Sequence, residues 1–91
     1  LYIVWGMVKD KDISRVLALL PKHAYYYFCA AHIPRALPAA LLAEQAAAHQ
    51  LCGEVVSDVN EAIDKAKTRA QKNDFIFIGG STFVVAEVEN L

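Results

Sequence analysis

Cationic side chains follow two apolar stretches of the sequence and could bind an anion. Lys9 and Lys11 come directly after the apolar residues 1–8, and Arg35 lies in the segment IPRALP, whose two prolines restrict its backbone. A guanidinium group on a stiff loop is well suited to hold a carboxylate through two parallel hydrogen bonds. The pattern predicts a site for a small carboxylate or phosphate. The alternatives are a solvated helix start at the lysines and an ordinary surface arginine.

The segment Gly79-Gly80-Ser81-Thr82 could complete such a site. Glycine lets the backbone turn sharply and lets a ligand approach closely, and the free N–H groups at the start of a helix favour an anion. The segment has neither the Gly-Lys-Ser/Thr of a nucleotide P-loop nor the G-x-G-x-x-G of a dinucleotide fold. On local sequence, a plain turn from a strand into a helix is the alternative.

No pattern of residues predicts a catalytic or metal centre. Cys29 and His32 form a C-x-x-H pair, but the sequence has no second pair to complete a zinc site. A nucleophile–base pair or a catalytic triad cannot be assembled from its residues either. The two cysteines, Cys29 and Cys52, have no disulfide spacing, which is typical of a reducing compartment and predicts a cytoplasmic protein.

Length and charge restrict the class of protein. Ninety-one residues suit one small domain. A net charge of −1 without a basic block argues against nucleic acid as a partner, and the apolar runs are far shorter than the roughly 20 residues of a membrane span. We therefore expect that the protein binds no nucleic acid and is not associated with a membrane. Because the chain begins inside an apolar run without an initiator methionine, we expect it to be a fragment of a longer protein.

Predicted strands and helices alternate along the chain. Apolar runs rich in β-branched and aromatic residues predict strands at 1–8, 24–30, 54–57 and 74–79. Helical spacing of apolar residues, with suitable ends, predicts helices at 10–21, 37–50 and 58–72. Residues 82–91 are β-formers, yet Ser81 could cap a helix there, and both interpretations stay open. The order predicts an α/β domain with a mostly parallel sheet.

The predicted sheet indicates how distant residues could form one site. Parallel sheets bind ligands beyond the carboxyl ends of their strands. The segments that follow the four predicted strands are 8–12, 30–38, 57–61 and 79–82. Two of these segments hold the cations and one holds the glycines and hydroxyls. Trp5 and the three tyrosines at 25–27 are interpreted as core residues.

The order of three segments resembles the C-terminal domain of folylpolyglutamate synthase/dihydrofolate synthase, of the Mur ligase superfamily. The segments are GMVKDKDI, then LLPKHAYYYFCAAHIPRALPAALLAEQA, then NDFIFIGGSTFVVAEV. The resemblance implies that residues 1–91 form a three-layer, Rossmann-like domain of the Mur ligase C-terminal type. It also implies that the domain's first strand and helix precede Leu1, because the family's Asp-x-Ala-His-Asn-Pro motif has no match here.

The resemblance also implies a reaction. Such enzymes use ATP to phosphorylate a carboxylate of dihydropteroate or a folate, and the amine of L-glutamate then attacks the acyl phosphate. ATP and Mg are held mainly by a central domain that lies outside these residues, so the chain alone is expected to bind no cofactor and to be inactive. In the family, the C-terminal domain closes over the active site and helps hold the incoming glutamate.

The family's ligand-facing positions fall on residues already singled out. The resemblance places a lysine after the first strand, the arginine of Pro-Arg and the serine of Gly-Ser on the closing face. Here these are Lys11 or Lys9, Arg35 and Ser81. Which of the two lysines faces the ligand stays open, because the branches of the superfamily space this turn differently.

Two other functions are alternatives to the folate ligase. One is a Mur ligase of peptidoglycan synthesis, which the Asp-Lys-Asp turn and the GGSTFVVAEV ending disfavour. The other is a free-standing α/β module that binds a small anion. The sequence does not decide whether the parent enzyme adds the first glutamate or later ones. A sheet that lacks a neighbouring strand exposes unpaired backbone groups, so the fragment is also expected to self-associate.

Overall fold

A computed structural model describes residues 1–88 as four strands that alternate with four helices. In chain order these are β1 (Tyr2–Trp5), α1 (Ile13–Leu19), β2 (Tyr25–Phe28), α2 (Ala39–Ala48), β3 (Cys52–Val55), α3 (Val59–Arg69), β4 (Ile76–Gly79) and α4 (Thr82–Ala86). The strands form one sheet in the order β3-β2-β1-β4, and every pair is parallel. The predicted α/β domain with a mostly parallel sheet is confirmed.

Helices cover both faces of the sheet, which gives the predicted three layers. One face packs against α1 and α2, and its buried side chains include Ile3, Trp5, Tyr26, Phe28, Leu17 and Leu42. The other face packs against α3 and α4, and its buried side chains include Val4, Tyr27, Val59, Ile63 and Val84. Successive residues of β1 and β2 thus enter opposite cores, as the two-residue period of a strand requires.

The third strand lies two residues earlier than the sequence predicts. We expected residues 54–57, whereas β3 is Cys52–Val55. Strand β3 is at the edge of the sheet, so pairing with β2 defines it and a buried apolar run is not needed. Gly53 lies directly opposite Tyr26, where a Cβ would come within 2.2 Å of the Tyr26 carbonyl oxygen. Of the two valines that suggested the later position, Val55 ends the strand and Val56 follows it.

The first strand is shorter than the apolar run 1–8, because the chain changes partner after Trp5. Met7 accepts a hydrogen bond from the N–H of Leu37 at 2.8 Å, and Lys9 donates one to the carbonyl of Arg35, also at 2.8 Å. Between them, Val8 and Ala36 form an antiparallel bridge. The segment after β1 is therefore joined to the loop that carries Arg35.

The ambiguous last segment begins as a helix. Ser81 is the N-cap of α4, and its Oγ accepts a hydrogen bond from the N–H of Phe83 at 3.1 Å. Val84 on this helix is 1% exposed and packs beneath the sheet edge. The helical interpretation is confirmed for Thr82–Ala86, and residues 89–91 lie outside the described part of the chain.

In the described part of the chain, both outer strands of the sheet keep one free edge, since β3 pairs with β2 and β4 pairs with β1. Phe75 and Phe77, before and within β4, are 77% and 55% exposed. The expectation of self-association stays a prediction. Within residues 1–88, every helix is too short or too polar to cross a bilayer.

Replacing Gly53 by alanine tests the position of β3. A Cβ at 2.2 Å from a backbone oxygen forces the two strands apart, and we expect a loss of about 1–3 kcal/mol in the free energy of unfolding. Urea denaturation measures it. The control is Cys52→Ala on the same strand, where the side chain is exposed. If both variants unfold at the wild-type urea concentration, the register described here is wrong.

Candidate functional site

An open cleft of about 570 Å³ lies at the carboxyl ends of β1 and β4. Lys11, Arg35 and Ser81 all line it, and Trp5 and Phe83 contribute apolar wall. The three predicted polar residues come from loops after three different strands, which meet because all strands run in the same direction. The structure thus brings together one candidate lysine, the arginine and the serine.

Lys9 is the candidate that the structure does not bring to the cleft. Its backbone N–H donates to the carbonyl of Arg35, and the residue is exposed outside the cleft lining. Lys11 follows after a turn in which its N–H donates to the carbonyl of Val8 at 3.4 Å. The sequence left the choice between the two lysines open, and the geometry of the cleft favours Lys11.

Arg35 has two partners at the cleft. Its guanidinium forms an ion pair with Asp10 and lies over the ring of Phe83, with Cζ 5.9 Å from the ring centroid. The hydrogen bond from Arg35 lowers the pKa of the Asp10 carboxyl below its usual range. The side chains of Arg35 and Asp10 are 59% and 58% exposed, so water screens the pair and its net stabilisation is small. A ligand carboxylate can therefore compete for the guanidinium at little cost.

The glycine turn before Ser81 places the serine at the cleft. Gly80 has φ of +95°, and a Cβ there would lie 2.3 Å from the carbonyl oxygen of Gly6. Only glycine fits this close approach without displacement of the backbone. The Oγ of Ser81 accepts a hydrogen bond from the N–H of Phe83. Its hydroxyl group can still donate a hydrogen bond to a ligand.

His32 belongs to a second polar cluster and does not act with Cys29. Its Nδ1 lies 3.2 Å from Glu87 Oε1 and its Nε2 lies 3.5 Å from Asp58 Oδ1. Asn60 Nδ2 donates to the backbone carbonyl of Glu87 at 2.8 Å. Sequence reasoning missed this cluster, since its members are far apart in the chain. The available signal was that two of them follow strands that end at the same edge.

The thiol of Cys29 is a poor metal ligand or nucleophile. Burial, with smaller contributions from Glu87 and Asp58, raises its pKa to about 12. Its Sγ lies 3.6 Å from the carbonyl oxygen of Trp5, to which it donates. Within residues 1–88, no group of three or more histidine, cysteine or acidic side chains is arranged to hold a metal ion.

Trp5 is a core residue, as expected, but it also borders the cleft, which the sequence did not indicate. It is 9% exposed and stacks against Phe77 with ring centroids 6.4 Å apart. The Gly80 turn lies on its indole, because a Cβ at Gly80 would be 2.9 Å from Trp5 Cε2. In the sequence, Trp5 is only an apolar residue at the end of a buried strand. This pattern does not show that the residue both packs in the core and borders the cleft.

Comparison with known proteins identifies the family to which this chain belongs. The family model of the Mur ligase glutamate ligase domain matches residues 1–82. A probable bifunctional folylpolyglutamate synthase/dihydropteroate synthase from Haloferax volcanii is 33% identical over 90 residues, which are 96% of this chain and 10% of that protein. The dihydrofolate synthase/folylpolyglutamate synthase of Escherichia coli is 35% identical over 85 residues, which are 93% of this chain and 19% of that protein.

Solved structures show the same fold. In a crystal structure of the bifunctional folylpolyglutamate synthase/dihydrofolate synthase from Yersinia pestis, complexed with AMPPNP and Mn ion, the matching part has a TM-score of 0.78 and 32% identity. The match covers 93% of this chain and 20% of that one. The chain thus spans a tenth to a fifth of the length of these relatives. The resemblance seen in the sequence is confirmed at the level of the family.

The ion pair at the cleft predicts how Asp10 titrates. Arg35→Gln removes the donor that lowers the pKa of Asp10, so this pKa should rise toward its ordinary value of 3.8. Because the pKa is lowered in the folded state, the pair stabilises the fold above about pH 4 and loses this effect as the pH falls through the lowered pKa. Side-chain carboxyl NMR of the wild type and the variant measures it. An unchanged Asp10 titration would show that the pair does not form in solution.

Proposed function

This chain belongs to the family of Mur ligase glutamate ligase domains, and on that premise we propose that it is the glutamate-binding, closing domain of a folate-type ligase. The complete enzyme joins L-glutamate to dihydropteroate or a folate. A carboxylate oxygen of the acceptor takes the γ-phosphoryl group of ATP and releases ADP. The glutamate amine then attacks the acyl carbon, loses a proton, and phosphate leaves as the amide forms.

The meeting of Lys11, Arg35 and Ser81 at one cleft is the observation that carries this proposal. Glutamate enters with two carboxylates, and a carboxylate is well held by a guanidinium together with a second cation. The exposed ion pair of Arg35 with Asp10 is screened by water and can be exchanged for a ligand. The serine hydroxyl adds a neutral donor at the start of α4.

The nucleotide and its metal ion belong, in this proposal, to other parts of a longer enzyme. The residues described here fit neither group, since they include no metal-binding cluster and the sequence has no P-loop. A related enzyme was crystallised with AMPPNP and Mn ion, which supports use of ATP and Mg by the complete enzyme. ATP supplies the activating phosphoryl group, and this chain orients the amine that reacts next. We place the enzyme in the cytoplasm, because Cys29 and Cys52 are free, as is typical of a reducing compartment.

The named relatives support the folate branch over the alternatives. Both curated proteins are folylpolyglutamate synthases by name, and neither name concerns peptidoglycan or a free-standing binding module. We therefore propose a pteroate or folate as the second substrate.

Arg35→Lys in the complete enzyme tests the glutamate site. Lysine keeps the charge but cannot form two parallel hydrogen bonds to a carboxylate. We expect the KM for glutamate to rise about ten- to a hundredfold, while the KM for ATP and the thermal midpoint stay close to wild type. Arg15→Lys on the exposed side of α1 is the matched control and should change none of the three. A lower thermal midpoint with unchanged glutamate KM would make Arg35 a structural residue.

The isolated chain should neither hydrolyse ATP nor ligate glutamate. Its described residues offer no metal-binding cluster to support phosphoryl transfer. Phosphate release from ATP by the purified 91-residue chain, compared with a mock preparation, measures this. ATP turnover above the mock level would contradict the assignment of ATP binding to other domains.

A further inference from the structure

Trp5 holds an unpaired hydrogen-bond donor at the cleft. Within residues 1–88, its Nε1 is the buried side-chain nitrogen or oxygen without a hydrogen-bond partner. Trp5 is 9% exposed, and less than 1 Å² of Nε1 itself is exposed, so bulk water cannot reach this atom. Buried donors are rarely left unpaired because this costs free energy, and an exception calls for a physical explanation.

The surroundings of the indole supply that explanation. Trp5 lines the same cleft as Lys11, Arg35 and Ser81. The Gly80 backbone covers the indole at Cε2, the ring carbon bonded to Nε1, to which a Cβ would approach within 2.9 Å. A glycine turn is the most deformable backbone available, and here it carries no side chain that would block the movement. A small shift of this turn would be needed to connect the indole N–H with the cleft.

We propose that the indole N–H of Trp5 donates a hydrogen bond to a carboxylate oxygen of the amino acid bound in this cleft, an inference that rests on the glutamate-binding function proposed above. The bound carboxylate thereby gains a third kind of donor besides the cations and the serine hydroxyl. A charged acceptor compensates a buried N–H better than a neutral one does. When glutamate binds, the indole N–H gains an acceptor, so the free-energy cost of burying it unpaired in the free protein is removed.

The test removes the N–H and keeps the shape of the ring. Trp5 is replaced in the complete enzyme by 3-benzothienylalanine, in which sulphur takes the place of the N–H group. We expect the KM for glutamate to rise about tenfold and the KM for ATP to stay unchanged. The thermal midpoint should stay the same or rise, because the substitution removes an unpaired donor from the folded state. Trp5→Phe is a second variant that keeps an aromatic ring against Phe77.

Tyr26→Phe is the matched control, because it removes a buried donor that has a partner. Tyr26 lies in β2, in the same core as Trp5, and its hydroxyl donates to the carbonyl of Pro21 at 2.6 Å. This variant should lower the thermal midpoint and leave the glutamate KM unchanged. The two substitutions thus separate a donor that serves the ligand from a donor that serves the fold.

The KM values of the benzothienyl variant for glutamate and for ATP decide the proposal. An unchanged glutamate KM in the benzothienyl variant overturns it, and so does an equal rise of the KM for ATP. If Trp5→Phe fails to fold, the benzothienyl variant decides alone. If Arg35→Lys raises the glutamate KM and the Trp5 variants do not, the proposed function stands and this inference fails. If none of them raises it, the proposed function itself is wrong.

Discussion

The close approach of three backbone segments around Gly6 is the constraint on which the candidate site depends. Gly6 follows β1 and donates to the carbonyl of Gly79 at 3.3 Å. A Cβ on Gly6 would lie 2.8 Å both from the Cys29 carbonyl oxygen and from Val84 Cγ2, so the chain after β2 and a side chain of α4 both pack closely against Gly6. Its own carbonyl comes so near Gly80 that this position must be glycine too. With larger residues here, the loops could not converge on one cleft.

Backbone contacts, rather than ion pairs, hold the cationic side of the cleft. Two hydrogen bonds at 2.8 Å join residues 7 and 9 to residues 37 and 35, and they fix where the arginine side chain starts. The ion pair between Arg35 and Asp10 is exposed and contributes little. This division suits a binding site, because the scaffold stays in place when a ligand replaces Asp10 as the partner of the guanidinium.

The sequence predicts the features that depend on local patterns. Alternation of apolar runs and helical spacing gives the α/β order, and parallel strands require that their following loops share an edge. That reasoning predicts that a lysine (Lys9 or Lys11), Arg35 and Ser81 lie together. It does not find β3, because an edge strand is defined by its partner; Cys52 and Gly53 have no apolar pattern to mark it.

Tertiary contacts that cross between strands leave no such pattern. His32 pairs with Asp58 and Glu87, which are 26 and 55 residues away in the chain, and no spacing rule connects them. Trp5 looks like any aromatic residue of a buried strand, and its unpaired N–H is visible only when all neighbours are placed. Both features border α4, which Val84 anchors to the core and Glu87 ties to the loop after β2. The part of the site that sequence cannot predict is therefore the part contributed by the packing of this last helix against the ends of the strands.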